Sequence, residues 1–361
     1  MSISRPRARQ RGVALLLFLV LLVLGSLSFL IDMIDQSGIK ATRAQATWVT
    51  LNQARDALLG YAITYRDTRS GEPVFGYLPC PDINGDGSAD ALDSMCGGDD
   101  DRVVVGLLPF RQLGLADYRD GTGACLWYVV SGTFKASTNK PVPMNWDTQG
   151  RLAILDADGN TISAPEDEEG GAVAAIISAG PPLAGQNRTA NTCAITDART
   201  VHAAYLDGGY GFPGAPGTTV RLRQGHVGGD ANNDQIAWIT ARDIFRRVKQ
   251  RPDFAGHLNA LIDELVSGLS VNHPMPWNAK SNGPKKVGEV PATLSVTPAW
   301  RKYHDNWRDQ FRYVLCNDAD TPCLMVNGTE CVGVLIFAGE RSISGPRTTA
   351  DKGSLSSYLD A

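Results

Sequence analysis

Arg9-Gln10-Arg11-Gly12-Val13-Ala14-Leu15-Leu16-Leu17-Phe18-Leu19-Val20 is the stretch from which the rest of the chain is read. Four arginines, Arg5, Arg7, Arg9 and Arg11, end at one glycine, and no charged residue follows from Val13 to Ile31. A helix needs about 20 apolar residues to cross the hydrocarbon core of a bilayer. The stretch therefore predicts a transmembrane segment over 13–31. The basic flank belongs on the cytoplasmic side, which sends the C-terminal bulk outward. Beyond the apolar run, Ile34, Ala41, Ala44, Trp48, Leu51, Leu58, Ala62 and Tyr65 recur at helical spacing and form one stripe. Val13 to Arg66 reads either as one helix of about 80 Å or as two helices broken near Gly38. The second half is amphipathic and needs a surface to pack on.

Composition bounds the remainder. The chain has 361 residues, of which 43% are apolar and 20% charged, enough for one large or two small domains. A net charge of −4 argues against a nucleic-acid partner. Seven cysteines, Cys80, Cys96, Cys125, Cys193, Cys316, Cys323 and Cys331, are expected to pair by oxidation in an exported body, and an odd number leaves one over.

The most chemically specific stretch is Asp82-Ile83-Asn84-Gly85-Asp86-Gly87-Ser88-Ala89-Asp90-Ala91-Leu92-Asp93. Asp82, Asn84, Asp86, Asp90 and Asp93 occupy places 1, 3, 5, 9 and 12 of a calcium loop, with Gly87 at the sharp turn and Ser88 offering its carbonyl. The pattern resembles an EF-hand or dockerin loop and implies calcium as a cofactor, although Pro81 stands where a helix would lead in. The alternative is a solvated acidic turn, for which Asn, Asp and Gly are suited. Cys80 and Cys96 bracket the loop, and a disulfide between them would close it without metal.

Two segments share an order of blocks. Leu126-Trp127-Tyr128-Val129-Val130 is followed by Val173-Ala174-Ala175-Ile176-Ile177-Ser178-Ala179-Gly180, then Arg188-Thr189 and Tyr205-Leu206-Asp207. Near the C-terminus Phe311-Arg312-Tyr313-Val314-Leu315 is followed by Val332-Gly333-Val334-Leu335-Ile336-Phe337-Ala338-Gly339, then Arg347-Thr348 and Tyr358-Leu359-Asp360. This predicts a duplicated strand unit. Between the copies, 237–248 and 255–269 read as an inserted helical pair broken at Pro252. Trp300, Tyr303, Trp307 and Phe311 read as packing residues. The expected fold class is α+β: a long N-terminal transmembrane and amphipathic helix packed on an antiparallel sheet, with a duplicated strand unit and a helical insertion. The expected divisions are a leader at 1–12, the helix at 13–66, an α+β region with the calcium-type loop at 67–207, a loop and helical insertion at 208–299, and a second strand unit completing the sheet at 300–361.

Five histidines are scattered outside any metal-ligand spacing, and no nucleophile elbow, phosphate loop or dinucleotide fingerprint occurs. The three C-terminal cysteines read as two in a disulfide and one over, and Glu166-Asp167-Glu168-Glu169 as a solvated loop. No enzymatic role is expected.

The junction at Gly12 resembles the class III signal of type IV pilins and type II secretion pseudopilins. A later pairing of Leu-Pro-Cys-Pro-Asp at 78–82 with Leu-Pro-Phe-Arg-Gln-Leu-Gly-Leu at 108–115 resembles a group of prepilin-type proteins. The resemblance implies cleavage by a prepilin peptidase between Gly12 and Val13 and methylation of the new amino terminus. It also implies other pilin or pseudopilin subunits as partners. Location would be the bacterial inner membrane, single-pass, with the bulk periplasmic, or the fibre tip after assembly. Major subunits of that family carry Glu at the fifth mature position. Here it is Leu17, which resembles the minor, tip-type pseudopilins. Two other readings of the same start are a plain signal anchor and a secretory signal peptide cut near Ser26-Leu27-Ser28. An anchored binding protein or adhesin is the alternative function, and an anchored hydrolase a third.

Overall fold

The computed structural model describes residues 11–69, 74–90, 96, 101–136, 143–167, 169–188, 193, 195–212, 214–271, 280–318, 320–341, 347–348 and 350–358. The chain starts in one unbroken helix, α1 (Arg11–Thr68), of 58 residues. Gly38 does not break it: a single interior glycine costs about 1 kcal/mol, less than a well-packed helix can absorb.

Strands β1 (Val104–Leu107), β2 (Leu126–Val130), β3 (Leu152–Leu155), β4 (Thr161–Ser163) and β5 (Ala172–Ser178) lie in the order β1-β2-β5-β3-β4. The short α2 (Ala198–Val201) leads to β6 (Val220–Arg223), which pairs with β3, and β7 (Gln235–Thr240) pairs with β5. Seven strands thus form one sheet that curls into a half-barrel. Helices α3 (Ala241–Lys249) and α4 (Phe254–Val271) follow. Then come β8 (Lys280–Asn282), β9 (Lys285–Glu289), α5 (Arg301–Trp307) and β10 (Phe311–Cys316). The hairpin β11 (Leu324–Val326) and β12 (Thr329–Cys331) precedes β13 (Gly333–Phe337), and the order β13-β10-β9-β8 makes a second sheet.

The large sheet is covered on both faces. Along β2, Leu126, Tyr128 and Val130 enter one core, while Trp127 and Val129 enter the other. This explains runs that are apolar throughout rather than alternating. The first core is closed by α1, through Leu51, Ala54, Leu58, Leu59, Ala62 and Tyr65, all buried. The anticipated stripe holds from Trp48, half-buried, onward; Ala41 is exposed, and the Ile34 side chain lies outside the described residues. Polar ties fix the helix lengthwise. Arg55 Nε donates to the Trp238 carbonyl at 2.8 Å and its guanidinium lies 2.9 Å from Asp243. Arg251 donates to the Ile63 carbonyl at 3.1 Å and pairs with Asp67 at 2.6 Å.

Several expectations are corrected. Among the described residues no helix is long and apolar enough to cross a membrane. The described apolar side chains of α1 run over 14–26, about 20 Å of helix against a hydrocarbon core of about 30 Å. The side chains of 11–13 and 27–37 lie outside the described residues. The transmembrane helix of the expected fold class is therefore not supported, nor is a single-pass inner-membrane location with a periplasmic bulk. The sheet is not purely antiparallel, because β6 runs parallel to β3 with Leu152 opposite Val220. Residues 235–240 are a strand, not the start of a helix. Ile236 and Ile239 are fully buried beside β5, and the helix begins only after Thr240, whose hydroxyl accepts from the Asp243 N–H in a capping box. The C-terminal segment builds its own sheet instead of completing the first.

Leu58→Ala removes a fully buried side chain at the centre of the helix–sheet contact. The expected loss is about 2–5 kcal/mol, read from chemical denaturation, whereas Val49→Ala on the exposed side should stay within about 0.5 kcal/mol.

Candidate functional site

Three places in the molecule bear on function. The first is the start of α1. Gly12 and Val13 lie in its first turn. Every residue from Leu15 to Leu24 is a large apolar one, and each is between 42% and 71% exposed. Leu17 is among them at 58%. The sheet that covers α1 from Trp48 onward does not reach this segment. A contiguous apolar surface of this kind marks a contact site on a protein.

The second is the acidic loop. Its main chain is joined to β1 by Asp82 N–H to Leu107 O at 3.0 Å and Leu107 N–H to Asp82 O at 2.7 Å. Gly106 lets the two backbones meet, since a Cβ there would lie 2.7 Å from the Asp82 carbonyl. The Asp82 carboxylate is buried and turned inward. Oδ1 accepts from the N–H groups of Gly85 at 2.7 Å and Asp86 at 3.2 Å, and Oδ2 accepts from that of Gly87 at 2.7 Å. Asn84 Oδ1 accepts from Asp86 N–H, Asp86 Oδ1 from Ser88 N–H, and Asp90 Oδ2 from Ile83 N–H. Burial pushes the Asp82 carboxyl above its ordinary value. Gly85 and Gly87, at φ +77° and +84°, supply left-handed turns that side chains resist. Asp93 lies outside the described residues. Among the described residues no group of three or more His, Cys, Asp or Glu is placed to hold a metal ion. The side chains that would ligate calcium here organise the turn, with Asn84 and Asp86 exposed at its rim.

Three disulfides staple the body: Cys80–Cys96, Cys125–Cys193 and Cys316–Cys323. Cys331 is the free cysteine. The first pair closes the acidic loop as its flanking positions suggested. The second joins the start of β2 to the segment before α2.

The third place joins the loop after β5 to the segment leading into β7. Arg188 donates to the carbonyls of Gly180 at 2.6 Å and Tyr205 at 3.0 Å. Beside it Asp207 accepts from Gln186, and the Asp207 N–H donates to Asp234 Oδ2 at 2.8 Å. The Tyr210 hydroxyl lies 2.9 Å from the same oxygen, and Asp234 Oδ1, fully buried, has no hydrogen-bond partner. Burial first, then the Asp207 charge, pushes the Asp234 carboxyl up to about 7. His202, Gln186, Asp207 and Tyr210 line an open cavity of about 430 Å³ above this cluster. The signal in the sequence was Asp230, Asn232, Asn233 and Asp234. Their spacing fits no metal loop, and their partners lie at 180–210, so the cluster is legible only in three dimensions.

No family model, curated protein or solved structure matches the chain.

Two outcomes are expected. Asp82→Ala leaves several loop N–H groups without an acceptor and should cost about 1–3 kcal/mol, in chelator as well as in calcium. A loss seen only with calcium present would make the metal, not the turn, the partner of this carboxylate. For Asp234, the folded chain holds the proton more tightly than the unfolded chain does. That contribution is fully present below the ordinary carboxyl value of 3.8 and is lost as pH rises through about 7. Asp234→Asn should therefore gain stability on the order of a few kcal/mol near pH 8 and little near pH 4. Thermal melts across that range decide it, with Asp207, also raised by burial, leaving a residual slope.

Proposed function

We propose that the chain is a non-enzymatic, minor subunit of a pilin-like fibre of the type IV pilus or type II secretion kind. The observation that supports this is the division of α1. One continuous helix has its C-terminal part buried against the body and its N-terminal part apolar and uncovered over Leu15 to Leu24. A helix with that division transmits an attachment made at one end to a folded head at the other. Helices of like subunits, packed side by side, would cover the exposed segment through side-chain packing. The Gly12–Val13 junction agrees with this, because removal of the basic leader leaves the apolar residues at the new amino terminus. Leu17 presents no carboxylate to a neighbour, which suits a subunit present in few copies rather than one that builds the shaft.

The test is mass spectrometry of the mature amino terminus in a host that carries a prepilin peptidase. A chain beginning at a methylated Val13 is expected, and an intact Met1 overturns the reading. Expressed without other subunits, the protein should form no filaments. Abundant homopolymers in electron micrographs would contradict a minor role.

A further inference from the structure

The two segments that share an order of blocks also share a geometry. In the large sheet Tyr128 faces Ile176 across β2 and β5, and in the small one Tyr313 faces Leu335 across β10 and β13. Each second strand ends at a left-handed glycine, Gly180 at φ +58° and Gly339 at φ +68°. An arginine closes each turn: Arg188 donates to the Gly180 carbonyl at 2.6 Å and Arg347 to the Gly339 carbonyl at 2.9 Å. A tyrosine ring covers each guanidinium, Tyr205 at 5.6 Å and Tyr358 at 4.5 Å.

The segments differ in what lies beyond the second strand. On β5, Ser131 N–H bonds to Val173 O, so alternation sends the backbone groups of Ala174, Ile176 and Ser178 to the far side. There β7 meets them, with Ile239, Ala237 and Gln235 opposite in antiparallel register. On β13, Cys316 N–H bonds to Val332 O and Ala338 N–H to Gln310 O. The same alternation turns the backbone groups of Gly333, Leu335 and Phe337 outward. Among the described residues no strand meets them. All seven residues of β5 are buried, whereas all five of β13 are only half-buried.

Open edges are ordinarily guarded by charge, proline or a bulge. The opposite edge of this sheet carries Lys280 in β8. From Val332 to Ala338 there is no charge and no proline. We propose that the outer edge of β13 is a docking site for an extended, uncharged segment of a partner protein, added antiparallel in the register that β7 takes on β5. The intramolecular strand shows the chemistry of the occupant: uncharged and mostly apolar residues of the kind in Gln235-Ile236-Ala237-Trp238-Ile239-Thr240. Main-chain bonds would supply affinity, and the alternate side chains would supply selectivity. The proposal does not depend on assembly into a fibre.

The probe is a fluorescent peptide of the 235–240 sequence with blocked ends, added to the full chain and read by anisotropy and by amide hydrogen exchange. Saturable binding is expected, with slowed exchange at Leu335 and Phe337. Gly333→Pro, which removes one outward N–H, should weaken binding about tenfold or more, the loss of one or two hydrogen bonds. Val334→Lys puts a charge on the edge strand while leaving its bonds to β10, and should weaken binding in a chain that still melts cooperatively. Three results overturn the proposal: no binding at millimolar peptide, binding unaffected by both variants, or protection of the Leu335 and Phe337 amides in the free chain. Protection that grows with protein concentration assigns the edge to a second copy of this chain and likewise overturns the partner reading.

Discussion

Every side chain of β5 is buried, and from Ala174 to Ile177 successive residues enter opposite cores, while Val173 and Ala174 share one core at a shift in register. A strand in that position needs cover on both faces and a neighbour on both edges. The rest of the molecule answers these demands in turn. On one face lie α1 and the helices after β7; on the other lies the segment around α2, with Val220 and Leu222 of β6 sharing its core. One edge is taken by β2, continued by β3 at Ala172, and the other by β7. The long helix is thus a structural part of the head along its C-terminal third, and its direction there is set by leucines and alanines that admit close contact with the sheet.

Much of this was readable in residue order because it rests on local pattern. The run Leu126–Val130 and the run Val173–Ser178 are strands, and the stripe from Leu51 to Tyr65 is the packed face of one helix. Where reading failed, the deciding partner was distant in sequence. Residues 237–240 have helical neighbours, and their strand state comes from pairing with β5, some sixty residues earlier. The parallel contact of β3 with β6 is of the same kind. A membrane span read from an uncharged run was a statement about composition, and the described part of α1 falls short of the length it needs.

The candidate sites divide in the same way. The acidic loop was visible because its oxygens are close in sequence, but spacing could not say where the oxygens point. Asp82 turns its carboxylate to the loop's own N–H groups, so a pattern that suits a hard cation also suits a self-closing turn. Asp234 stands in a local cluster with Asp230, Asn232 and Asn233, but nothing local ties it to Asp207. Their meeting depends on Arg188 and on Tyr210, brought together from separate loops. The Gly–Arg spacing that the two segments share is a guanidinium closing a left-handed glycine, and it occurs twice.

The lengthwise seating of α1 also has a mechanical meaning. A pull along the helix axis, applied at its uncovered end, would not peel contacts one at a time. Leu51, Leu58 and Tyr65 on the apolar side, with the bonds from Arg55 to Trp238 and from Arg251 to Ile63 and Asp67, are spaced along that axis and would take the load together, in shear. Resistance to such a force is a matter of unfolding rate rather than of equilibrium stability. Beyond the helix, the Cys80–Cys96 bond ties off the next loop and limits how far the chain could extend if the seat gave way.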